Sequence, residues 1–321
     1  MIITSIIVLS YNRLDDIRVN LPLLLSEMSQ DMELIVVDNA STDGSREFLR
    51  ELRKQYPTLK LVLHDNNTGV AVGRNSGFQL AMGEYVIALD DDASMSVSDI
   101  NRVPSLFAGY EQAGILAFSV RQAQTGKKQN DHGDTATTVA NFHGAAHAIR
   151  AGLFARVGYL DELCSFGGEE FDFSVRCHAA GYTTVYVPEV HALHNSFLRS
   201  GPIGAERREK WVFNYVRVLY KLFPQRMAAL FSLRYTFLML KWSRGFVDKR
   251  FVIKIIRAAL VGRRHGKMAH APVPAETVKF YSDPTLFPQY GNVPFNFLSQ
   301  ITKKISKMVR GRSSGTIEGS P

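Results

Sequence analysis

Four apolar runs set the terms for this chain. SIIVLS (5–10), ELIVVDNA (33–40), LKLVLHD (59–65) and YVIALDDD (85–92) each read as a strand, with helical or turn-forming residues between them. The first run is apolar without alternation, the pattern of a parallel strand covered on both faces. Residues 15–29 and 70–82 carry helical spacing, the latter despite Gly73 and Gly77. Ser41-Thr42-Asp43-Gly44 offers capping residues for a helix after the second strand. A helix over about 98–112 precedes a fifth strand, GILAFSV (114–120). Such βα alternation predicts an α/β fold built on an open, mostly parallel, Rossmann-like sheet.

The strands end on polar residues: Ser10-Tyr11-Asn12, Asp38-Asn39, Asp65-Asn66-Asn67 and Asp90-Asp91-Asp92. Ligands of open α/β sheets bind beyond the carboxyl ends of strands, so these clusters are expected to line one crevice. The acidic triplet is the sharpest of them. Adjacent carboxylates repel one another, and burial makes each harder to ionise. A divalent cation reverses that balance, because it favours the charged forms. Along an extended strand Asp90 and Asp92 point one way and Asp91 the other. Asp90 and Asp92 therefore address a single site suited to Mg²⁺ or Mn²⁺, which take carboxylate oxygens together with substrate phosphates.

Charge is divided unevenly. Residues 1–200 hold 16 Lys/Arg and 24 Asp/Glu; residues 201–321 hold 22 and 6. The basic half is expected to meet something anionic. It reads as helical from 205 onward, and 211–240, its most apolar region, is interrupted by Arg217, Lys221, Arg226 and Arg234. No window is apolar enough to span a bilayer. The basic helices, and an amphipathic run at 301–312, are instead expected to lie on a membrane surface or to form a homo-oligomer contact. No nucleic-acid motif accompanies the charge. Cys164 and Cys177 have no metal or disulfide spacing, which fits a reducing cytosol. The N-terminal apolar run lacks a basic flank and a cleavage site, so it reads as a core strand rather than a leader. Residues 122–141 are polar and aperiodic and read as a long loop or flap; 311–321 read as a disordered tail.

Five segments, in order, resemble an inverting, family 2-type glycosyltransferase of the GT-A fold. They are IIVLSYNR, IVVDNASTDGS, NNTGVAVGRNSGFQLAMGEYVIALDDD, HGAAHAIRAGLFARVGYLDE with FGGEEFDFSVRCHAAGY, and VYVPEVHALHNS. The resemblance covers about residues 3–200. It implies a catalytic domain over 1–204, with a nucleotide-sugar half to about 95 and an acceptor half from 96. A basic helical region over 205–310 follows.

The resemblance also implies roles. Ser10, Tyr11, Asn12, Asp38 and Asn39 would form the nucleotide pocket, with Asp38 accepting from the base. Arg74 would lie beside the nucleotide. Asp90 and Asp91 would contact it on the ribose or metal side. Asp92, Asp90 and His194 would hold the cation, Mn²⁺ or Mg²⁺. Glu170, or else Glu169, would be the general base; the family has Asp where this chain has Glu170. Asp172 would support or cap. His191 is off register, and His64, His143 and His147 have weak claims. Gly144 allows close approach near the donor sugar. Arg207-Arg208-Glu209-Lys210-Trp211 loosely matches a motif of processive relatives, yet the chain reads as adding one sugar. The donor would be a UDP- or dTDP-sugar carrying a hexosyl, deoxyhexosyl or N-acetylhexosaminyl group. The acceptor would be a glycan or lipid-linked precursor of cell-envelope polysaccharide at the cytoplasmic membrane face. Two rivals remain at this point: a sugar nucleotidyltransferase, although SYNRLDD lacks the glycines of its phosphate loop, and a nucleotide-sugar- or lipid-binding module with a degenerate site.

Overall fold

The structure, a computed structural model, describes residues 1–195, 201–242 and 248–283; the expected run at 301–312 and tail at 311–321 lie outside them. The order of elements begins β1 (Thr4–Ser10), α1 (Leu14–Glu27), β2 (Met32–Asp38), α2 (Ser45–Gln55), β3 (Lys60–Leu63), α3 (Val70–Phe78) and β4 (Tyr85–Asp90). A short β5 (Ala93–Ser94), α4 (Val97–Gly109) and β6 (Ala113–Gln122) follow. Next come β7 (Thr137–Val139), β8 (Ala146–Arg150), α5 (Gly152–Val157), α6 (Glu169–Ala179) and β9 (Thr183–His194). Four helices end the described chain: α7 (Gly201–Leu222), α8 (Gln225–Trp242), α9 (Lys249–Met268) and α10 (Ala275–Ser282).

The strands form one sheet in the order β3-β2-β1-β4-β8-β6-β9-β5, with β7 on β9. β1 to β4, β6 and β9 run one way; β5, β7 and β8 run against them. Parallel strands need both faces covered. Accordingly β1 and β2 are buried at every position. Ile6, Val8, Leu34 and Val36 face α1, α2 and α4, where Ile17, Leu21, Leu49 and Phe107 meet them. The alternate residues Ile7 and Ile35 face Ala71, Phe78 and Phe154 on the other side. Gly73 and Gly77 sit in α3 because a Cβ at either would collide with Leu9 or Ile7 of β1. Their cost in helix propensity admits a close helix–strand contact.

The parallel register aligns strand ends. Ser10 pairs with Asp38, and Leu9 with Asp90, so β2, β1 and β4 open onto one edge. β5 pairs antiparallel with β9, which sets His194 opposite Ala93, one residue from Asp92.

One expectation is corrected. The 122–141 segment is not a free flap. Asn130, 4% exposed, accepts from the Val120 amide and donates to the Phe118 carbonyl, and residues 137–139 pair with β9. Buried backbone groups at the sheet edge need partners, and this segment supplies them. The helix after β2 is capped within the expected Ser41-Thr42-Asp43-Gly44 run: Gly44, at φ 93°, is the N-cap, and Asp43 one residue earlier takes the Ser45 amide and hydroxyl. Helix α7 starts at Gly201.

Candidate active site

The crevice at the strand ends is knitted by side chains on backbone amides. Asn12 accepts from the Thr42 amide at 2.7 Å, and its own amide donates to Ser41 Oγ at 2.9 Å. Asn39 donates to Asn67 Oδ1 and to the Gly69 carbonyl, and accepts from Thr68. The Asp38, Asn39 and Asn12 clusters thus meet, and Asn67 joins them. Asn12 (φ 52°) and Ala40 (φ 67°) adopt left-handed conformations. For alanine this is strained, and such strain persists where the surroundings over-determine it. Asp38 is fully buried; Oδ1 takes the Ser41 amide, while Oδ2 has no hydrogen-bond partner among the described residues. Ser10 Oγ is likewise buried without one. Buried polar atoms of this kind await a partner.

The triplet separates: Asp90 ends β4, and Asp91 and Asp92 form the turn before β5. One ligand atom each from Asp90, Asp92 and His194 lies within 4.8 Å of the others. Asp91 instead accepts from the Tyr11 amide at 2.8 Å. Burial, together with the charges of Asp92 and Asp90, pushes the Asp91 carboxyl well above the ordinary range, although the Tyr11 amide and Arg13 oppose this. Asp92 lies 3.1 Å from His194 Nε2 and 2.9 Å from Arg13 Nη2. Gln129 Oε1 lies 2.7 Å from His194 Nδ1. This contact orients the ring so that Nε2 faces the Asp92 carboxylate. Two carboxylates and an imidazole are a donor set that Mn²⁺ accepts well.

Arg74, expected from the sequence to lie beside the nucleotide, is 3% exposed and bonds to protein partners through Nη2. Its Nη2 donates to Asp90 Oδ1 at 2.6 Å and to the Gly144 carbonyl at 2.8 Å. Its Nη1 lies 3.8 Å from Glu169 Oε1. Burial alone would discourage ionisation of Asp90, but Arg74 and His194 outweigh it and hold the carboxyl below its usual value.

Glu169 is buried and Glu170 half-buried. Burial raises both carboxyls, and the charge of Glu170 raises Glu169 further, against the pull of Arg74. A Cβ on Gly144 would strike Glu170 Oε1, so that carboxylate lies against bare backbone beside Arg74.

Helix α7 holds these acids in place. α6 begins at Gly167-Gly168, both left-handed, where only glycine is unstrained. A Cβ on Gly167 would overlap the Trp211 ring, and one on Gly168 would crowd Asn214. Asn214 Nδ2 donates to the Phe166 and Gly167 carbonyls. Asp172, fully buried, binds Arg176 and Lys221 at 2.7 Å each. Asp161 binds Arg217 at 2.7 Å and Lys221 at 2.5 Å. Burial opposes ionisation of Asp161, yet these two cations bring its carboxyl down to about 2. Arg217 and Lys221, read from sequence as interruptions of an apolar region, are internal ion-pair partners. Trp211 packs by Phe166, with ring centroids 6.1 Å apart.

His64 is taken up by Asn39, Thr68 and Ser76, and His191 lies by Arg121. His147 is buried against Phe142. His143 has more to do with the site than its sequence suggested: its ring stands 5.7 Å from that of His194, and burial lowers it to about 4. Gln129 and Arg13 were not singled out from sequence. Arg13 directly follows the Ser10-Tyr11-Asn12 cluster, a signal that could have found it; Gln129 has no local signal.

Residues 5–156 match the family described as glycosyl transferase family 2, and residues 111–264 match glycosyl transferase family group 2. The two overlapping matches together run from residue 5 to residue 264 and make the chain similar to family 2 glycosyltransferases. Glycosyltransferase AglE of Haloferax volcanii is 24% identical over 200 residues, 59% of this chain and 66% of AglE. An undecaprenyl-phosphate 4-deoxy-4-formamido-L-arabinose transferase of Aeromonas hydrophila is 32% identical over 123 residues, 36% of each chain. The chain spans between 25% and 66% of the length of such curated relatives. Among solved structures, S. aureus TarS 1–349 in complex with UDP-GlcNAc is similar at TM-score 0.58 and 18% identity, over 80% of this chain and 79% of that one. The Pyrobaculum calidifontis mannosyltransferase PcManGT in complex with GDP-Man and Mn²⁺ is similar at TM-score 0.55 and 18% identity, over 83% of both. The fold is GT-A.

Proposed function

We propose that this protein transfers one sugar, with inversion, from a nucleoside-diphosphate sugar to an acceptor hydroxyl. The observation that carries the reading is the convergence on one guanidinium, Arg74, of a cation-binding carboxylate, Asp90, and the acids of the α6 turn. Asp90, Asp92 and His194 would hold a divalent cation, Mn²⁺ or Mg²⁺, whose contribution is Lewis-acid neutralisation of the departing diphosphate. Asp38 Oδ2, buried and without a partner, would accept the imide N–H of a pyrimidine base, which favours a UDP- or dTDP-sugar. Ser10, Tyr11, Asn12 and Asn39 would complete that pocket.

Glu170 is the general base in this reading, because it is the more open of the two acids and faces Gly144. It takes the acceptor proton as the acceptor oxygen bonds to the anomeric carbon and the bond from that carbon to the diphosphate oxygen breaks. Glu169, buried against Arg74, tunes its neighbour. Arg74 acts by keeping Asp90 ionised rather than by touching the donor.

The acceptor in this reading is a glycan or lipid-linked precursor of cell-envelope polysaccharide. The names of the Aeromonas relative and of the Bacillus subtilis minor teichoic acid biosynthesis protein GgaA, 25% identical over 165 residues, support that class. The free, buried cysteines Cys164 and Cys177 fit work in a reducing cytosol. The test is nucleoside-diphosphate release over a panel of nucleotide sugars with Mn²⁺, Mg²⁺ or chelator. Release from one donor, abolished by chelator and by Asp92→Ala, supports the reading; release from none removes it.

A further inference from the structure

Helices α8 and α9 repeat one outward pattern. On α8, Arg226, Leu230, Leu233, Phe237 and Lys241 fall at offsets 0, 4, 7, 11 and 15. On α9, Lys249, Ile253, Ile256, Leu260 and Arg264 fall at the same offsets. At 3.6 residues per turn these offsets form one stripe. Each stripe is the helix side opposite the buried one. Ala228, Phe231, Tyr235 and Met239 point α8 inward, and Phe251, Ile255, Ala258 and Gly262 do so for α9. The outward aliphatic and aromatic side chains are widely exposed: Leu233 73%, Phe237 64%, Ile253 64%, Leu260 59%.

We infer that these two stripes seat the protein on an anionic lipid surface. Each stripe has an apolar centre of three residues with a cation at either end, the arrangement of a helix lying in a membrane interface. The two helices together carry ten Lys/Arg and no Asp/Glu. That charge complements phosphate head groups. It also argues against a second copy of this chain, which would bring the same ten cations against these. Nucleic acid would satisfy the cations but leave six large apolar side chains in water. No helix among the described residues is long and apolar enough to cross a membrane, so the contact is one of lying on the surface.

The seat is separate from the catalytic turn. Gly262 and Gly266 of α9 press against the Phe213 and Arg217 carbonyls of α7, and α7 in turn presses Trp211 and Asn214 on Gly167-Gly168. With interaxial spacings of about 8–10 Å, α7 and α9 put two helix layers between lipid and acids.

The experiment is co-sedimentation of the full chain with vesicles of phosphatidylcholine alone and of phosphatidylcholine mixed with phosphatidylglycerol. It needs neither donor nor metal, so its result is independent of the proposed transfer reaction. Binding to the mixed vesicles is expected to be about tenfold or more tighter than to the neutral ones, and to weaken with salt. Two variants are compared: an apolar one (Leu233→Ser, Phe237→Ser, Ile253→Ser, Leu260→Ser) and a charge one (Arg226→Gln, Lys241→Gln, Lys249→Gln, Arg264→Gln). All eight positions lie on the exposed stripes, and unchanged circular dichroism checks the fold. Each variant is expected to lose about tenfold or more of the binding. Absence of binding to anionic vesicles, equal binding to neutral ones, or variants that bind like the parent would overturn the inference. So would a parent dimer that the apolar variant alone converts to monomer.

Discussion

Arg74 and Asp90 form an ion pair of 2.6 Å, the guanidinium buried and the carboxylate half-buried, and the same guanidinium faces Glu169 at 3.8 Å. One cation thus compensates acids on both sides of the site. Replacing it by methionine strands two carboxylates. Removing one partner of a fully buried pair costs about 3–5 kcal/mol, and the solvent reaching Asp90 reduces the loss here to about 2–3 kcal/mol. Arg74→Met is expected to unfold at lower denaturant by that amount and to bind Mn²⁺ more weakly. Arg74→Lys is expected to recover part of both, because a lysine cannot bridge Asp90 and Gly144 as a fork does. Chemical denaturation and a metal titration check both outcomes.

Glu170→Gln keeps shape and removes the proton acceptor. Transfer is expected to fall by about 10²–10⁴-fold, the usual share of a general base, with donor affinity unchanged. Glu169→Gln is expected to lose far less. Equal losses in single-turnover rates would reverse the assignment.

Gly144→Ala tests the seat of Glu170. The new methyl meets the far end of a flexible side chain rather than backbone. Stability is expected to change by no more than about 1 kcal/mol, whereas transfer falls at least about tenfold because the carboxylate must move. Thermal melts beside turnover separate the two effects.

Gln129 touches His194 Nδ1, not the cation cluster itself. Gln129→Ala is expected to weaken Mn²⁺ binding about 10–100-fold while leaving the melting curve of the metal-free protein in place. Calorimetric titration reads the first and a thermal melt the second.

Asp161 supplies a pH signature. Its carboxyl is brought from the ordinary 3.8 to about 2 in the folded protein, so its contribution is complete above pH 4 and disappears as pH falls toward 2. The linkage is about 2 kcal/mol. Asp161→Asn is expected to be less stable at neutral pH, with the deficit shrinking by about that amount between pH 4 and 2. Urea denaturation at several pH values measures it.

The first half of the fold was legible because parallel strands announce themselves locally. β1, β2 and β4 are continuous apolar runs with polar tips, and register then forces Ser10, Asp38 and Asp90 to one edge. Asp91 leaves the cluster as expected, but by a turn rather than by strand alternation, and the Tyr11 amide holds it away. What stayed hidden depends on contacts distant in sequence. β8 enters antiparallel between β4 and β6, although AHAIR has no feature that says so. Gln129 reaches His194 across 65 residues. Arg217 and Lys221 look like any surface cations until Asp161 and Asp172 are folded against them.

The glycines at 262 and 266 let α9 lie against the Phe213 and Arg217 carbonyl oxygens of α7, with the Tyr220 Cβ beside the second. A seam of backbone on backbone has no soft layer to shear. Helices α7 and α9 therefore turn together as one beam. At one side the beam carries the outward stripe of α9, and at the other it bears on the double-glycine hinge of α6. In the proposed reaction, a surface under α9 would thus bear, through α7, on the turn that carries Glu170.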